Sequence, residues 1–172
     1  KEIIAIKAGK SKRGQEATIS HTASLASEYE IYRGAFKQAG VKLIENPFPS
    51  LELEKLRNKK IIVVTNGGGA GALITDLCEE KNIKLLEAPI DVLGTAKADD
   101  YSKVLDKVKK DKNCQGVIGI LTPQTMSEPL ETARAIVNFA KSSEGKKKGI
   151  VACFLGNESI RGAKELLEEN SV

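Results

Sequence analysis

From residue 60 onward the chain alternates short runs of continuous apolar residues with longer stretches whose apolar residues recur at helical spacing. A continuously apolar run is typical of a strand buried on both faces, and such strands occur mainly in parallel sheets covered by helices. The apolar runs predict strands over residues 61–64, 83–86, 116–121 and 149–154. The intervening stretches predict helices over residues 70–80, 99–110, 128–140 and 160–168. We therefore expect an α/β fold, a flavodoxin-like parallel sheet with helices on both faces.

The residues before this pattern carry weaker signals. Residues 3–6 and 41–44 predict two short strands, of which the first should be buried, and residues 9–20 lack periodicity and predict a loop. A helix is expected from an N-cap at Ser27 to Gly40. Its predicted apolar face consists of Ile31, Tyr32, Ala35, Phe36 and Ala39.

The domain organisation follows from how little apolar surface these first residues offer. They hold too little for an independent sheet, so we predict that residues 1–48 are the C-terminal part of a second α/β domain that precedes the flavodoxin-like domain. The boundary should fall in the turn at residues 46–50, where Ser50 is a candidate cap for a short helix over residues 51–57. The flavodoxin-like domain would then span residues 49–172.

Composition argues against several functional classes. The net charge of +4 is spread along the chain, aromatic residues make up 4% and Trp is absent, so no base-stacking platform or basic stripe for nucleic acid is expected. No apolar run approaches the roughly 20 residues of a membrane span, and the chain opens without a secretory signal. Cys78, Cys114 and Cys153 are widely spaced in apolar segments, which predicts buried, reduced thiols and a cytoplasmic protein.

His21 is the sole histidine and the first candidate for chemistry. Histidine titrates near neutral pH, attacks phosphorus and binds metals. Its neighbours are small and hydroxylated, which would let a loop move and a bulky anion approach. The alternative is a histidine that is simply solvated or satisfied by a structural hydrogen bond. The neighbours that could support such a loop are Ser20, Thr22 and Ser24.

A glycine-rich turn at residues 65–71 follows a predicted strand and opens a predicted helix. Glycines expose backbone N–H groups and a helix N-terminus adds partial positive charge, so the turn could bind an anion such as phosphate. It lacks the Gly-Lys-Ser/Thr of a Walker A loop. The glycines could equally serve packing in a tight turn. The candidate phosphate-binding residues are Thr65, Asn66, Gly67, Gly68, Gly69 and Gly71.

Two further loops, residues 121–125 and 155–159, are expected at the same edge of the sheet. Ligands of open parallel sheets bind at the carboxyl ends of the strands, and both loops carry polar side chains suited to phosphate or ribose. Both could also be ordinary turns, because Ser127 and Asn157 are good helix caps.

Several segments together resemble the NDP-forming acyl-CoA synthetases, which are the ADP-forming acetyl-CoA synthetases and relatives of succinyl-CoA synthetase. The resemblance covers almost the whole chain, and the motif around His21 is specific. It identifies residues 1–48 as part of the phosphohistidine-bearing CoA-ligase domain and residues 49–172 as the succinyl-CoA-ligase-like flavodoxin domain. The segments that carry it are residues 7–11, 20–26, 34–41, 63–69 and 121–123.

The resemblance implies a ligase that converts acyl-CoA, ADP and phosphate into acid, ATP and CoA. Acyl phosphate would form first and phosphorylate His21, and the phosphohistidine would then move to ADP on an ATP-grasp β subunit or domain. Residues 10–14 would supply loop mobility, and the helix N-terminus at residues 67–71 would hold the phosphoryl charge. Mg²⁺ would arrive with the nucleotide at the partner domain, with no metal site or tightly bound cofactor here. This chain alone should be an incomplete enzyme that works in a hetero- or homo-oligomer.

The sequence departs from the family at three points. The family has Gly where Ala23 stands and often where Ser27 stands, and it has a further segment before the residues equivalent to 88–91. We therefore expect a missing segment near residues 87–90. Two alternatives remain: a non-catalytic acyl-CoA- or nucleotide-sensing domain, as found fused to protein acetyltransferases, and a flavodoxin-like module that binds FMN or another phosphorylated ligand.

Overall fold

The computed structural model describes residues 1–22, 28–49 and 51–172, and for residues 20–22 it describes the backbone alone. Three predicted residues, Ser24 and the caps at Ser27 and Ser50, therefore lie outside the described residues. For His21 and its neighbours Ser20 and Thr22, the structure gives a backbone position.

The first segment contains two strands and two helices: β1 (Ile4–Ile6), α1 (Lys12–Thr22), α2 (Tyr29–Gln38) and β2 (Lys42–Ile44). The two predicted strands are confirmed and pair in parallel. The predicted burial of β1 is wrong, since Ile4 is 54% exposed. On the predicted apolar face of α2, Ile31 is 65% exposed. Among the described residues β1 pairs with β2 alone, and a two-stranded ribbon offers no covered face on which these side chains could be buried.

Helix α1 corrects the prediction of a loop over residues 9–20, and it includes residues 12–14 of the stretch that was expected to supply mobility. Ser11 caps the helix: its Oγ accepts a hydrogen bond from the Gly14 N–H at 2.9 Å. The turn before it is held by the carboxylate of Asp76, which is 65 residues away along the chain. The helix is therefore stabilised from outside its own sequence, and its weak apolar periodicity does not reveal it.

The main sheet is parallel throughout. Its strands are β3 (Lys60–Thr65), β4 (Lys84–Leu85), β5 (Ile90–Asp91), β6 (Gly116–Leu121) and β7 (Gly149–Phe154). The order is β4-β3-β6-β7, with β5 also pairing with β3. Counting from β3, this is the 2-1-3-4 order of a flavodoxin-like sheet, as predicted. Strands β6 and β7 have the predicted bounds.

Helices cover both faces of this sheet, as the apolar pattern predicts. Ile62 and Val64 point to one face, where they pack with α4 (Ala98–Lys110), α5 (Pro129–Lys141) and α6 (Arg161–Glu169). Ile61 and Val63 point to the opposite face, where they pack with α3 (Gly68–Glu80) and with Phe48, Leu53 and Leu56. The short helix predicted over residues 51–57 is a single 3-10 turn, Glu54–Leu56.

Strand β5 is absent from the sequence-based prediction, and it lies where a missing segment is expected. β4 pairs with the start of β3 and β5 with its end, so that Ile90 lies beside Val64 and Asp91 beside Thr65. The chain thus runs along β3 as one interrupted strand. The interruption includes Pro89, which has no N–H to donate to a ladder.

Candidate functional site

The predicted anion-binding turn lies at the point where the strand order reverses. β3 has β4 and β5 on one side and β6 on the other, so the loops after β3 and β6 leave the sheet in opposite directions from neighbouring strands. Such a crevice at the carboxyl edge is where open α/β sheets bind ligands. The turn at residues 65–71 and the loop at residues 121–125 therefore meet here, as predicted.

Asn66 joins these two loops. Its Nδ2 donates to the Thr122 carbonyl at 2.8 Å, and its Oδ1 accepts from the Thr122 N–H at 2.7 Å and from the Thr122 Oγ1 at 3.1 Å. The residue is 2% exposed. Its predicted role was to offer a side-chain hydrogen bond to an anion, but this side chain is committed to Thr122. We call this contact the Asn66–Thr122 bracket.

The hydroxyl of Thr65 is also committed to the protein, because its Oγ1 bonds both the N–H and the carbonyl of Gly67 at 3.0 Å. The two side chains thus shape the turn, and the groups that face outward belong to the backbone. The N–H groups of residues 68–70 open α3, and an α-helix has no acceptors of its own for its first N–H groups. An anion at this edge would therefore bind backbone N–H groups at the positive end of a helix.

The glycines in this turn serve close approach. Gly67 lies against Thr122, whose Oγ1 would be 2.8 Å from an added Cβ, and Gly71 lies against Thr65 and Pro89. A Cβ on Gly69 would meet no atom within 4 Å. None of the glycines from residue 67 to 71, all described, has a positive φ. The packing explanation therefore accounts for Gly67 and Gly71, while Gly69 leaves space above the helix N-terminus.

The other carboxyl-edge loop follows β7 at residues 155–159. Gly156 adopts a φ of +129°, and Pro123 of the neighbouring loop lies 3.2 Å from where its Cβ would be. The predicted helix caps Ser127 and Asn157 do not make capping hydrogen bonds. Helix α5 begins after Glu128, and the side chain of Asn157 makes no cap bond. Ser127 instead accepts the Gln124 N–H at 2.6 Å, which closes the loop after β6.

The direction of α1 indicates where the backbone of His21 lies relative to this edge. The first turn of α1 touches the last turns of α3, where Arg13 pairs with Glu79 at 3.6 Å and Gly14 lies against Asp76. Since α1 packs along α3, it must run from there towards the N-terminus of α3. His21 lies seven residues after Gly14, and Gly69 lies seven residues before Asp76. Equal numbers of helical residues cover equal lengths. We therefore expect the backbone of His21 near the start of α3.

Asp76 is a residue that the sequence analysis did not single out. Its Oδ2 accepts the N–H groups of Gly9 and Lys10 at 2.8 and 3.1 Å. Its Oδ1 accepts the N–H and the Oγ–H of Ser11, both at 2.7 Å. Gly9 has a φ of +87°, which turns its N–H towards the carboxylate and favours glycine. We call these four hydrogen bonds the Asp76 latch.

Tyr101 of α4 supports the same carboxyl edge of the sheet, and the sequence analysis did not single it out either. Its hydroxyl donates to the Ile120 carbonyl at 2.7 Å. Burial raises the pKa of this phenol well above its ordinary value, so it stays a donor at neutral pH. An i, i+3, i+4 pattern of Tyr101, Val104 and Leu105 indicates a core face, but the hydroxyl's partner is visible only in the fold.

The cysteines are buried, as predicted, and have no disulfide. Burial raises the pKa of Cys78 to about 12 and that of Cys153 to about 11, so both are thiols at neutral pH. Among the residues whose side chains are described, no three His, Cys, Asp or Glu residues cluster as a metal site. Within the same residues no helix is long and apolar enough to cross a membrane.

A cavity of about 530 Å³ lies beside β7 and α6, and its other wall is formed by Pro47, Phe48, Leu51, Glu52 and Lys55. It shares Leu155 and Gly156 with the loop after β7 and shares no residue with the glycine-rich turn. The candidate phosphate site is therefore a surface crevice, separate from this cavity.

Sequence comparison places the chain among known proteins. A family model described as "Succinyl-CoA ligase like flavodoxin domain" matches residues 1–48, the segment that carries His21. The acetate–CoA ligase (ADP-forming) I of Archaeoglobus fulgidus is 32% identical over 100% of this chain and 27% of its own length. The α subunit of acetate–CoA ligase (ADP-forming) II of Pyrococcus furiosus is 30% identical over 100% of this chain and 44% of its own length.

Comparison of structures agrees. The dinucleotide-forming acetyl-coenzyme A synthetase 1 of Ca. Korarchaeum cryptofilum, solved with phosphate and ADP, superposes with a TM-score of 0.61 at 27% identity. The superposition covers 100% of this chain and 43% of the length of the synthetase. The chain thus spans less than half the length of these relatives. Along its whole length the chain is similar to ADP-forming acetate–CoA ligases, and it corresponds to a part of their sequence.

Proposed function

We propose that this chain is the phosphohistidine-bearing part of an ADP-forming acyl-CoA synthetase, with His21 as the residue that carries the phosphoryl group. The observation that supports this most directly is the packing of α1 along α3. With this packing, α1 runs from the last turns of α3 towards a helix N-terminus whose first N–H groups have no helical acceptor, and we expect the backbone of the sole histidine near that end. Relatives with the same segment are named ADP-forming acetate–CoA ligases.

The electrostatics of the two helices favour this role. A phosphoryl group on His21 would lie at the C-terminal end of α1, which carries partial negative charge. The N-terminus of α3 presents the opposite partial charge at the same level, together with the N–H groups of residues 68–70. These groups would offset the negative charge and stabilise the phosphoryl group as it is transferred. The Asn66–Thr122 bracket keeps the turn in the shape that exposes them.

The chemistry is two displacements at phosphorus. An imidazole nitrogen of His21 attacks the phosphorus of acyl phosphate, a P–N bond forms, and the P–O bond to the acyl group breaks to release the carboxylate. A β-phosphate oxygen of ADP then attacks the same phosphorus, the P–N bond breaks, and ATP is formed. Imidazole suits both steps because it is a good nucleophile and a good leaving group.

The remaining expectations complete this proposal. Residues 1–48 would finish the domain that carries His21 and residues 49–172 would form a second domain. The rest of the enzyme would supply the CoA site and an ATP-grasp domain that binds ADP with Mg²⁺. The curated relatives are aligned over 197 and 200 positions, more than the 172 residues of this chain, so they hold residues inside this stretch that the chain lacks. We place that difference near residues 87–90.

Phosphorylation of the complete protein tests the proposal. We would incubate it with its ATP-grasp partner, Mg²⁺ and ATP labelled in the γ-phosphate, and then measure acid-labile, base-stable label on this chain. Because His21 is the sole histidine of these 172 residues, label recovered in a peptide from this stretch has one possible histidine site. We expect label that is lost in His21→Ala and retained in Glu16→Ala, a change at an exposed residue of the same helix. Absence of label from an enzyme that binds nucleotide would refute the proposal and favour a sensing or flavin-binding module.

A further inference from the structure

We infer that Asp76 is a positioning residue for His21: the Asp76 latch fixes one end of α1 so that its other end stays level with the N-terminus of α3. The inference rests on the proposed function, because the effect we assign to Asp76 is on the phosphorylation of His21. Asp76 lies in the C-terminal half of α3, away from the glycine-rich turn that opens this helix.

The latch is built to hold the chain before α1 in one shape. Both carboxylate oxygens of Asp76 are used, each by two donors, and the four distances lie between 2.7 and 3.1 Å. Ser11 connects the latch to the helix, since its Oγ donates to Asp76 and accepts from the Gly14 N–H. Carboxylates bound by backbone N–H groups at a helix cap are among the stronger hydrogen-bonded arrangements in proteins.

Gly14 shows how closely the two helices meet at this point. A Cβ on Gly14 would overlap the carboxylate of Asp76, so the approach needs a residue without a side chain. Two neighbouring pairs, Lys10–Glu80 at 3.7 Å and Arg13–Glu79 at 3.6 Å, are exposed to solvent. Exposed ion pairs contribute little to stability. The contacts that fix this end of α1 are therefore the latch, three of whose four bonds are partly buried, and the bond from Arg13 to the Leu85 carbonyl at 3.0 Å.

The latch also determines which helix end remains available for phosphate. The carboxylate of Asp76 lies beside the N-terminus of α1, on the N–H groups of residues 9–11, and its negative charge repels other anions from this helix end. The N-terminus of α3 has no such side-chain cap. A phosphoryl group near these helices is thereby directed to the end where the backbone of His21 lies.

Two partial reactions of the complete enzyme separate positioning from folding. Formation of acyl phosphate from acyl-CoA and phosphate precedes the histidine step in the proposed mechanism, and labelling of His21 is the histidine step itself. We expect Asp76→Ala to slow labelling of His21 by about ten- to a hundred-fold, the range for a reacting group displaced by about an ångström. Formation of acyl phosphate should stay within about twofold of wild type, as should both reactions in the matched carboxylate variant Glu80→Gln.

A second perturbation tests the same contact from the other side. Gly14→Ala forces Asp76 away from the cap without removing a charge, and should show the same selective loss of labelling. Asp76→Asn keeps one acceptor oxygen and should lie between Asp76→Ala and wild type. Labelling of Asp76→Ala at the wild-type rate, or an equal loss of both partial reactions, would overturn the inference while the proposed function stands. A wild-type enzyme without label on His21 would overturn both.

Discussion

Replacing Asn66 by alanine should loosen the carboxyl edge of the sheet by removing the Asn66–Thr122 bracket. Three hydrogen bonds disappear, at 2.8, 2.7 and 3.1 Å, and the Thr122 N–H loses the partner that satisfies it. A neutral hydrogen bond contributes about 1 kcal/mol net, and a buried group left unpaired costs about 1–3 kcal/mol. We therefore expect Asn66→Ala to lower the free energy of unfolding by about 2–4 kcal/mol.

Urea unfolding of the 172-residue chain, followed by circular dichroism, measures this change. With a slope of about 2 kcal/mol per molar urea, the midpoint should fall by about 1–2 M. Thr122→Val is the matched control, because it removes the 3.1 Å hydroxyl contact and leaves the two backbone bonds of Thr122 in place. It should cost about 1 kcal/mol in the wild-type background and less in Asn66→Ala, where its partner is gone.

Equal costs of Thr122→Val in both backgrounds would contradict the bracket, since uncoupled residues give additive changes. An unfolding free energy of Asn66→Ala within about 0.5 kcal/mol of wild type would refute the reasoning altogether, because changes of that size are typical of surface sites without specific contacts.

Gly67→Ala should lower the free energy of unfolding by about 1–3 kcal/mol, because its Cβ would lie 2.8 Å from the Thr122 Oγ1. Gly69→Ala, which adds a Cβ in open space within α3, should leave the free energy of unfolding unchanged or raise it by up to about 1 kcal/mol. The same urea titration distinguishes the two, and an equal effect of both substitutions would contradict the packing explanation. Burial raises the pKa of Cys78 to about 12 and of Cys153 to about 11, above the ordinary thiol value of 9.0. The unfolded chain therefore loses these protons first, so stability should fall as pH rises from about 9 towards 12. Unfolding free energies measured from pH 8 to 11 test the sign, and Cys78→Ala should flatten the slope.

The sequence predicts the main sheet well because its signal is local. Strands β6 and β7 are continuous apolar runs buried between helices, and their bounds agree with the prediction. Strand β5 is two residues long and follows Pro89, so it has neither the length nor the pattern of a strand. Its pairing partner, β3, supplies the hydrogen bonds that define it.

Helix α1 depends on a contact with a residue far away in the sequence, which a local sequence pattern does not contain. Its start is specified by Ser11, whose capping role is visible in sequence, and by Asp76, whose role depends on the packing of α3. The candidate site shows a similar division. The glycines and the helix N-terminus can be predicted, but the commitment of Asn66 to Thr122 depends on the neighbouring strand. The backbone position of His21 likewise depends on how α1 packs along α3.

The central claim is that His21 passes a phosphoryl group to ADP, and a single-turnover chase tests it most directly. The complete enzyme would be labelled on His21, freed of nucleotide, and mixed rapidly with ADP and Mg²⁺. We predict that label leaves His21 and appears in ATP at least as fast as the enzyme's overall turnover. Label that stays on His21, or that leaves more slowly than turnover, would contradict the account.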